Sequence, residues 1–342
     1  DEKCLSLAWY LSIPDPRRLH PMGEFELIRN FFAAAPCAQT GEGVVLGIGD
    51  DCALLAVPPG EQLAISTDTL VVGVHFPEAC DPFLLGQRAL AVAASDLAAM
   101  GATPLAFTLA LTLPDVDPDW LQAFAHGLNL MAQSCSLSLV GGDTTRGPLS
   151  LTMTVFGRVP AGQALTRSGA RPGDLLCVGG PLGDAAGALP LVLNQRSAEA
   201  SIAHALLAQY WSPQPQLALG LALRGKATAA LDISDGLLAD CGHIALASGV
   251  RVVVERDALP LSAPLTTFLG LEAARNAALS GGDDYVLAFT LPASQLAGLL
   301  AAGFSVHVVG RVVAGQGVAL IDGAGQDVTP STRGYQHFRE TP

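Results

Sequence analysis

Aspartates recur in this sequence at places where a chain seldom puts charge. In Leu46-Gly47-Ile48-Gly49-Asp50-Asp51-Cys52-Ala53 two adjacent carboxylates follow one apolar run, residues 44–48, and precede another. The theme returns in Ser66-Thr67-Asp68-Thr69, in Gly141-Gly142-Asp143-Thr144-Thr145-Arg146 and in Asp232-Ile233-Ser234-Asp235-Gly236, each after a short apolar stretch. Each reads as a corner where a strand stops. Asp96 is a further case, set in the helical run Ala91-Val92-Ala93-Ala94-Ser95-Asp96-Leu97-Ala98-Ala99-Met100. One Asp in a turn needs no special reason, because it accepts local backbone hydrogen bonds. Several in apolar or Gly-rich settings do, since an unpaired buried carboxylate is costly and tends to take a proton.

A pocket of such acids calls for cations. Oxygen ligands without accompanying His or Cys suit Mg²⁺, which favours carboxylates and substrate phosphates and keeps some of its waters. Phosphoryl transfer has the same requirement, because charge on the phosphate oxygens must be neutralised while nucleophile and leaving group stay in line. The 141–146 segment adds uncrowded backbone N–H groups and an arginine within one loop, a combination that can hold phosphate. Arg167 is a second candidate clamp, in a stretch that also reads as an ordinary solvated turn. His75, in Val72-Gly73-Val74-His75-Phe76, is a candidate substrate contact, although a lone His near a strand end is more often structural. The Gly179-Gly180-Pro181-Leu182-Gly183 turn is equally well explained by close helix–strand packing.

The elements that must position these residues alternate. A first amphipathic helix is expected over 23–35, with Phe25, Leu27, Ile28, Phe31 and Phe32 spaced for one face. Strands at 44–48, 53–57 and 63–67, the last continuing to 74, are expected to build one sheet. A helix over 82–100 stops at Gly101 and, being apolar on nearly every side, is expected to be buried all round. Strand 105–113, helix 119–134 and strands 137–140 and 150–159 complete this half. The loop 166–174 marks the domain boundary. Beyond it come strand 175–178, helix 184–193, more helices to 223, the 232–236 corner opening a helix to 248, strand 251–255 and strand 285–290. The first 21 residues contain Ile13-Pro14-Asp15-Pro16-Arg17-Arg18, lack the apolar core of a secretion signal, and read as a leader before a functional start at Met22.

Composition narrows the partners. With 31 acids against 18 bases the net charge is −13, which repels a phosphate backbone and argues against nucleic acid. Half of the residues are hydrophobic, 37 are Gly and 14% are charged, as in a compact soluble protein with many turns. The lysines are Lys3 and Lys226, and Ala227 follows the latter, so the phosphate-binding loop that needs Lys before Ser or Thr is missing. Seven scattered cysteines without a Cys-x-x-Cys pair point to reduced thiols in the cytoplasm. The two long uncharged stretches are broken by Gly and Pro, and no membrane span is expected.

Assembled in order, these motifs resemble the thiamine-monophosphate kinase family of the aminoimidazole-ribonucleotide-synthetase-like superfamily, from about Gly23 to Phe338. The resemblance implies an α/β (α+β) fold of two domains. Residues 22–165 would form the N-terminal domain, which binds metal and ATP and whose sheet makes a homodimer interface; residues 166–342 would form a C-terminal α/β domain. It implies ATP-dependent phosphorylation of thiamine monophosphate to thiamine diphosphate, by direct in-line transfer with several Mg²⁺ ions and no covalent enzyme intermediate. Asp51, Ser66, Thr67, Asp68, Asp96, Asp143, Asp232 and Asp235 match the family's metal ligands. Gly142, Asp143, Arg167 and Ser234 match its ATP contacts, and His75, Asp283 and Tyr335 its substrate contacts, with transfer supported by Asp143, Asp68 and Arg167. Asp50 is expected behind the ligands. Asp283 departs from the family's usual Glu by one methylene, so a water is a candidate bridge to the thiamine moiety. Aminoimidazole-ribonucleotide synthetase and selenophosphate synthetase share the plan, but the latter normally carries a reactive Cys with a nearby Lys, and no Lys lies between Lys3 and Lys226. A non-catalytic, cation-binding acidic protein would spread its acids over helix faces rather than at apolar strand ends.

Overall fold

The computed structural model describes residues 23–39 and 41–330, so the expected leader and Tyr335 lie outside the described residues. The chain enters through α1 (Glu24–Leu27), which runs into a π-helical turn, Ile28–Ala33. The helix expected at 23–35 is thus present but wound more widely after its first turn. β1 (Val44–Leu46) and β2 (Leu54–Leu55) pair with each other as a separate ribbon instead of joining the sheet that follows.

β3 (Glu61–Val71) corrects a second expectation, because it runs straight through Ser66, Thr67, Asp68 and Thr69 with no corner. Two threonine pairs explain the continuity: the hydroxyls of Thr67 and Thr154, and of Thr69 and Thr152, lie 2.9 Å apart across the ladder. After β3 come α2 (Pro82–Ala99), β4 (Thr103–Leu113), α3 (Pro118–Cys135), β5 (Ser138–Arg146) and β6 (Ser150–Pro160). The four long strands form one sheet in the order β3-β6-β4-β5. Asp81 and Asp117 cap the two helices, accepting from Phe83 N at 2.9 Å and from Asp119 N at 3.0 Å, each before a Pro that starts the helix without a lost donor. The helices cross in backbone contact, since a Cβ on Gly127 would collide with the Phe83 carbonyl. The opposite face of the sheet is open, and Leu63 and Ile65 on β3 are 41% and 59% exposed.

The second half holds β7 (Leu175–Val178), α4 (Asp184–Val192), α5 (Ala200–Trp211), α6 (Leu217–Leu223), β8 (Ala229–Asp232) and α7 (Leu237–Ser248). It continues with β9 (Arg251–Glu255), α8 (Ala263–Leu269), α9 (Leu271–Ser280), β10 (Leu287–Leu291), α10 (Ala293–Ala301), β11 (His307–Val313) and β12 (Gly317–Ile321). Its mixed sheet runs β12-β9-β11-β7-β10-β8, with β12 and β9 parallel. The architecture is a two-domain α/β fold.

α2 belongs to both halves. Its length is buried nearly all round, as its composition predicts, with Leu90, Ala91, Ala93 and Ala94 at 0% exposure. One side covers the four-stranded sheet, while Ala98 and Ala99 share a core with Leu219, Leu223, Ala230 and Phe289 of the other half. Gly220 of α6 touches the Ala98 carbonyl so closely that no side chain fits there. Among the described residues no helix is long and apolar enough to cross a membrane.

Candidate active site

Alternation along β3 decides which acids can meet. A strand sends successive side chains to opposite faces, so Ser66 and Asp68 point toward α2 while Thr67 and Thr69 lie on the open face beside Thr154 and Thr152. The Ser66 hydroxyl donates a short hydrogen bond to Asp96 Oδ2 on α2. One residue earlier on the helix, Ser95 Oγ donates to Asp232 Oδ2 at 2.7 Å, joining the N-terminal half to the end of β8. Burial, and then the Asp96 charge, push the Asp68 carboxyl up to about 6. Asp96 is also raised by burial, against the pull of the Ser66 hydroxyl and the Arg167 charge. Asp232 is raised by burial first and by Asp96 second, with the Ser95 hydroxyl opposing. These three carboxyls therefore feel one another. Ser66, Asp96, Arg167 and Asp232 line one cleft of about 400 Å³ between the halves.

The corner after β8 is organised from behind. Asp240, in the first turn of α7, accepts on Oδ2 from the backbone N–H groups of Ser234 and Asp235 at 3.0 Å and of Gly236 at 3.2 Å. Burial pushes its carboxyl up to about 7 although these donors pull it down. Sequence reasoning did not single out Asp240. Its signal is an acid in a first helical turn shortly after Ser-Asp-Gly, where free N–H groups collect.

That corner carries the next one. The Ser234 carbonyl accepts from Asp283 N at 2.9 Å and the Ile233 carbonyl from Tyr285 N at 2.8 Å. Asp283 and Tyr285 both occupy left-handed backbone, with φ of 60° and 49°. The Asp283 carboxylate accepts from Arg88 at 2.9 Å and from Tyr285 Oη at 3.1 Å. His75, on the loop after β3, accepts at Nδ1 from Val71 N at 3.0 Å, and its carbonyl accepts from Tyr210 Oη at 2.8 Å. In the neutral ring this places the proton on Nε2.

The remaining predicted ligands stand elsewhere. The 141–146 segment is the second half of β5 rather than a loop, paired in parallel with β4. Its register puts Asp143 opposite Ala110 on the open face, in the row of Thr152 and Thr69. Asp50, Asp51, Gly142 and Asp143 line a second cavity, of about 670 Å³, with Phe25 and Phe32. Gly142 (φ 153°) lies against Leu109 so tightly that a Cβ would strike its carbonyl. The structure thus gathers Ser66, Asp96, Arg167 and Asp232 in one cleft, with the Asp68 charge felt by its carboxyls, and Asp51, Gly142 and Asp143 in another place. Ser234 and Asp235 lie at the 232–236 corner, and Thr67 on the open face. Among the described residues no three His, Cys, Asp or Glu side chains converge on one point. The donor set nevertheless fits a hard cation: the gathered ligands are oxygens, and the desolvated carboxyls of Asp68, Asp96 and Asp232 need positive charge to stay ionised. Phosphate oxygens and water would complete such a shell.

Comparison with known proteins identifies the family and the fold. Residues 49–159 match the family model of the AIR synthase related protein N-terminal domain, and residues 171–323 that of its C-terminal domain. The chain is 46% identical over 322 residues to the thiamine-monophosphate kinase of Salmonella typhimurium, covering 92% of this chain and 98% of that protein. The Escherichia coli K12 thiamine-monophosphate kinase gives the same identity and coverage. Among solved structures, the Stenotrophomonas maltophilia thiamine-monophosphate kinase superposes with a TM-score of 0.77 at 46% identity, over 82% of this chain and 91% of that one. AaThiL complexed with AMPPCP and TMP superposes with a TM-score of 0.75 at 30% identity, over 83% of this chain and 89% of that one.

Proposed function

The chain belongs to the thiamine-monophosphate kinase family of AIR-synthase-related proteins and is a phosphotransferase of that class, and on that premise we propose that it converts thiamine monophosphate and ATP into thiamine diphosphate and ADP. A phosphate oxygen of thiamine monophosphate attacks the γ-phosphorus of ATP, the bond to the β-bridging oxygen breaks, and ADP leaves. No group of the protein is phosphorylated on the way. The observation that carries this reading is that Asp96, Asp232 and Arg167 line one cleft between the halves and that the Asp68 charge acts on its carboxyls.

Asp51, Ser66, Thr67, Asp68, Asp96, Asp143, Asp232 and Asp235 are the residues that would hold Mg²⁺. When bound, Mg²⁺ neutralises phosphate oxygens as charge shifts during transfer. Arg167 contributes a fixed positive charge beside Asp96 and pairs with the transferred phosphoryl group. Gly142 lets the nucleotide approach the backbone, and Ser234 contacts the nucleotide from the corner that Asp240 braces. His75, Asp283 and Tyr335 hold the thiamine moiety.

The open sheet face, with Leu63 and Ile65 uncovered, is where a second copy of the chain would pack. The enzyme would work in the cytoplasm. The experiment is product analysis: purified protein with ATP, Mg²⁺ and thiamine monophosphate, separated by chromatography, with thiamine as control acceptor. Thiamine diphosphate formed from the monophosphate alone, with ADP in equal amount, is the expected result. ATP cleavage without diphosphate would reject the acceptor.

A further inference from the structure

Arg88 is 1% exposed on a helix whose other buried residues are almost all small or apolar. A buried guanidinium costs stability unless it is paired and hydrogen-bonded, so its partners say what it is for. One terminal nitrogen donates to Asp283 Oδ2 at 2.9 Å, and the other to the Tyr210 carbonyl at 2.6 Å. The guanidinium carbon also lies 4.0 Å from the centre of the Tyr210 ring. Tyr210, itself 2% exposed, sends its hydroxyl back across the interface to the His75 carbonyl at 2.8 Å. The resulting series, His75 to Tyr210 to Arg88 to Asp283, crosses between the two halves at each link.

Both ends of that series are residues assigned to the thiamine moiety, Asp283 reached through its carboxylate and His75 through its main-chain carbonyl. Its two middle members are too buried to touch a substrate, whereas Asp283 is 32% exposed. Asp283 also sits on left-handed backbone, a conformation that persists when its surroundings fix it. We propose that Arg88 and Tyr210 are positioning residues that set the separation of His75 and Asp283 across the cleft, and so govern acceptor binding without touching the acceptor. This rests on the placement of thiamine monophosphate given above.

The test is steady-state kinetics of the full chain with ATP, Mg²⁺ and thiamine monophosphate, with thermal melts alongside. Tyr210→Phe removes the hydroxyl that holds His75 and keeps the ring beside Arg88. It should raise KM for thiamine monophosphate about fivefold, the scale of one hydrogen bond, with kcat and KM for ATP within about twofold. Arg88→Lys keeps a charge beside Asp283 but loses the fork that also reaches Tyr210, and should raise the same KM about tenfold. A proportional decline of kcat and both KM values together with the melting temperature would reduce the pair to core packing and overturn the proposal. An unchanged acceptor KM in Tyr210→Phe would overturn it too, even if Arg88→Lys failed to fold. Asp283→Asn separates the two failures. If it raises the acceptor KM while Tyr210→Phe does not, the brace is wrong and the acceptor placement stands; if it leaves that KM unmoved, both fall.

Discussion

On the side of the N-terminal sheet that faces α2, the acids are already embedded. Asp96 and Asp232 each accept from a serine hydroxyl, and the corner beyond Asp232 is gripped by Asp240 through three backbone N–H groups. On the open side Asp143 stands exposed on β5, and the Asp50–Asp51 corner is tied by a hydrogen bond from Asp51 N to Asp50 Oδ1 at 2.9 Å. The first group is fixed by the fold's own hydrogen bonds, whereas the second lies exposed. Stability and activity should therefore separate on the open face and move together in the cleft.

The largest separation is expected at Asp143. Asp143→Asn should lower kcat on the order of a hundredfold or more, because the phosphates lose compensating charge. Its melting temperature should match wild type, since an exposed carboxylate contributes little to the fold. A normal kcat with unchanged Mg²⁺ dependence would remove Asp143 from the ligand set. Asp240→Ala is the converse case. It strands three N–H donors at a part-buried corner, so denaturant melts should show a loss of about 3 kcal/mol, with turnover falling as the corner loosens.

Two smaller effects sharpen the contrast within the buried side. Asp284 accepts from Gly183 N at 2.8 Å, while its other carboxylate oxygen is buried without a partner among the described residues. Burial holds this carboxyl well above its usual range. The folded chain then keeps a proton that the unfolded chain has released, and stability falls as pH rises from the ordinary carboxylate range toward the raised value. Asp284→Asn should therefore gain a few degrees of Tm over wild type at about pH 8, a gain that shrinks toward about pH 4. A pH-independent difference between the two would contradict this. Ser95→Ala should be mildest, costing about 1 kcal/mol for the lost bond to Asp232. A denaturant titration resolves that difference, and no loss at all would show Asp232 to be held by other contacts.

Sequence alone disclosed a good deal of this. The helix α2, apolar on nearly every side and stopped at Gly101, the strands β4 and β6, and the burial of Asp232 at a strand end all follow from local pattern. The strand expected over 63–67 and on to 74 is β3, but the corner read at Ser66-Thr67-Asp68-Thr69 is absent: that composition suits a turn, and only its threonine partners on β6 hold it in the ladder. The same misreading hid the division of the ligands, since consecutive residues of a corner could converge but those of a strand must diverge. β5 repeats the lesson, with two glycines suggesting a loop where an edge strand continues. Arg88 and Tyr210 lay in plain view, yet their meaning depends on contacts across 122 and 135 positions that no window along the chain contains.

The sharing of α2 has a consequence for how the molecule comes apart. Its residues are part of the core beneath the four-stranded sheet, and its C-terminal end is also part of the core under α6 and β10. Pulling the halves apart would expose Ala98, Leu219 and Leu223 to water and break the Ser95–Asp232 bond at the same moment. Heat should thus melt both halves in one cooperative transition, and a protease cut near residue 166 should leave two fragments that stay together. The boundary between the halves is a division of connectivity, and the chain should unfold as a single thermodynamic unit.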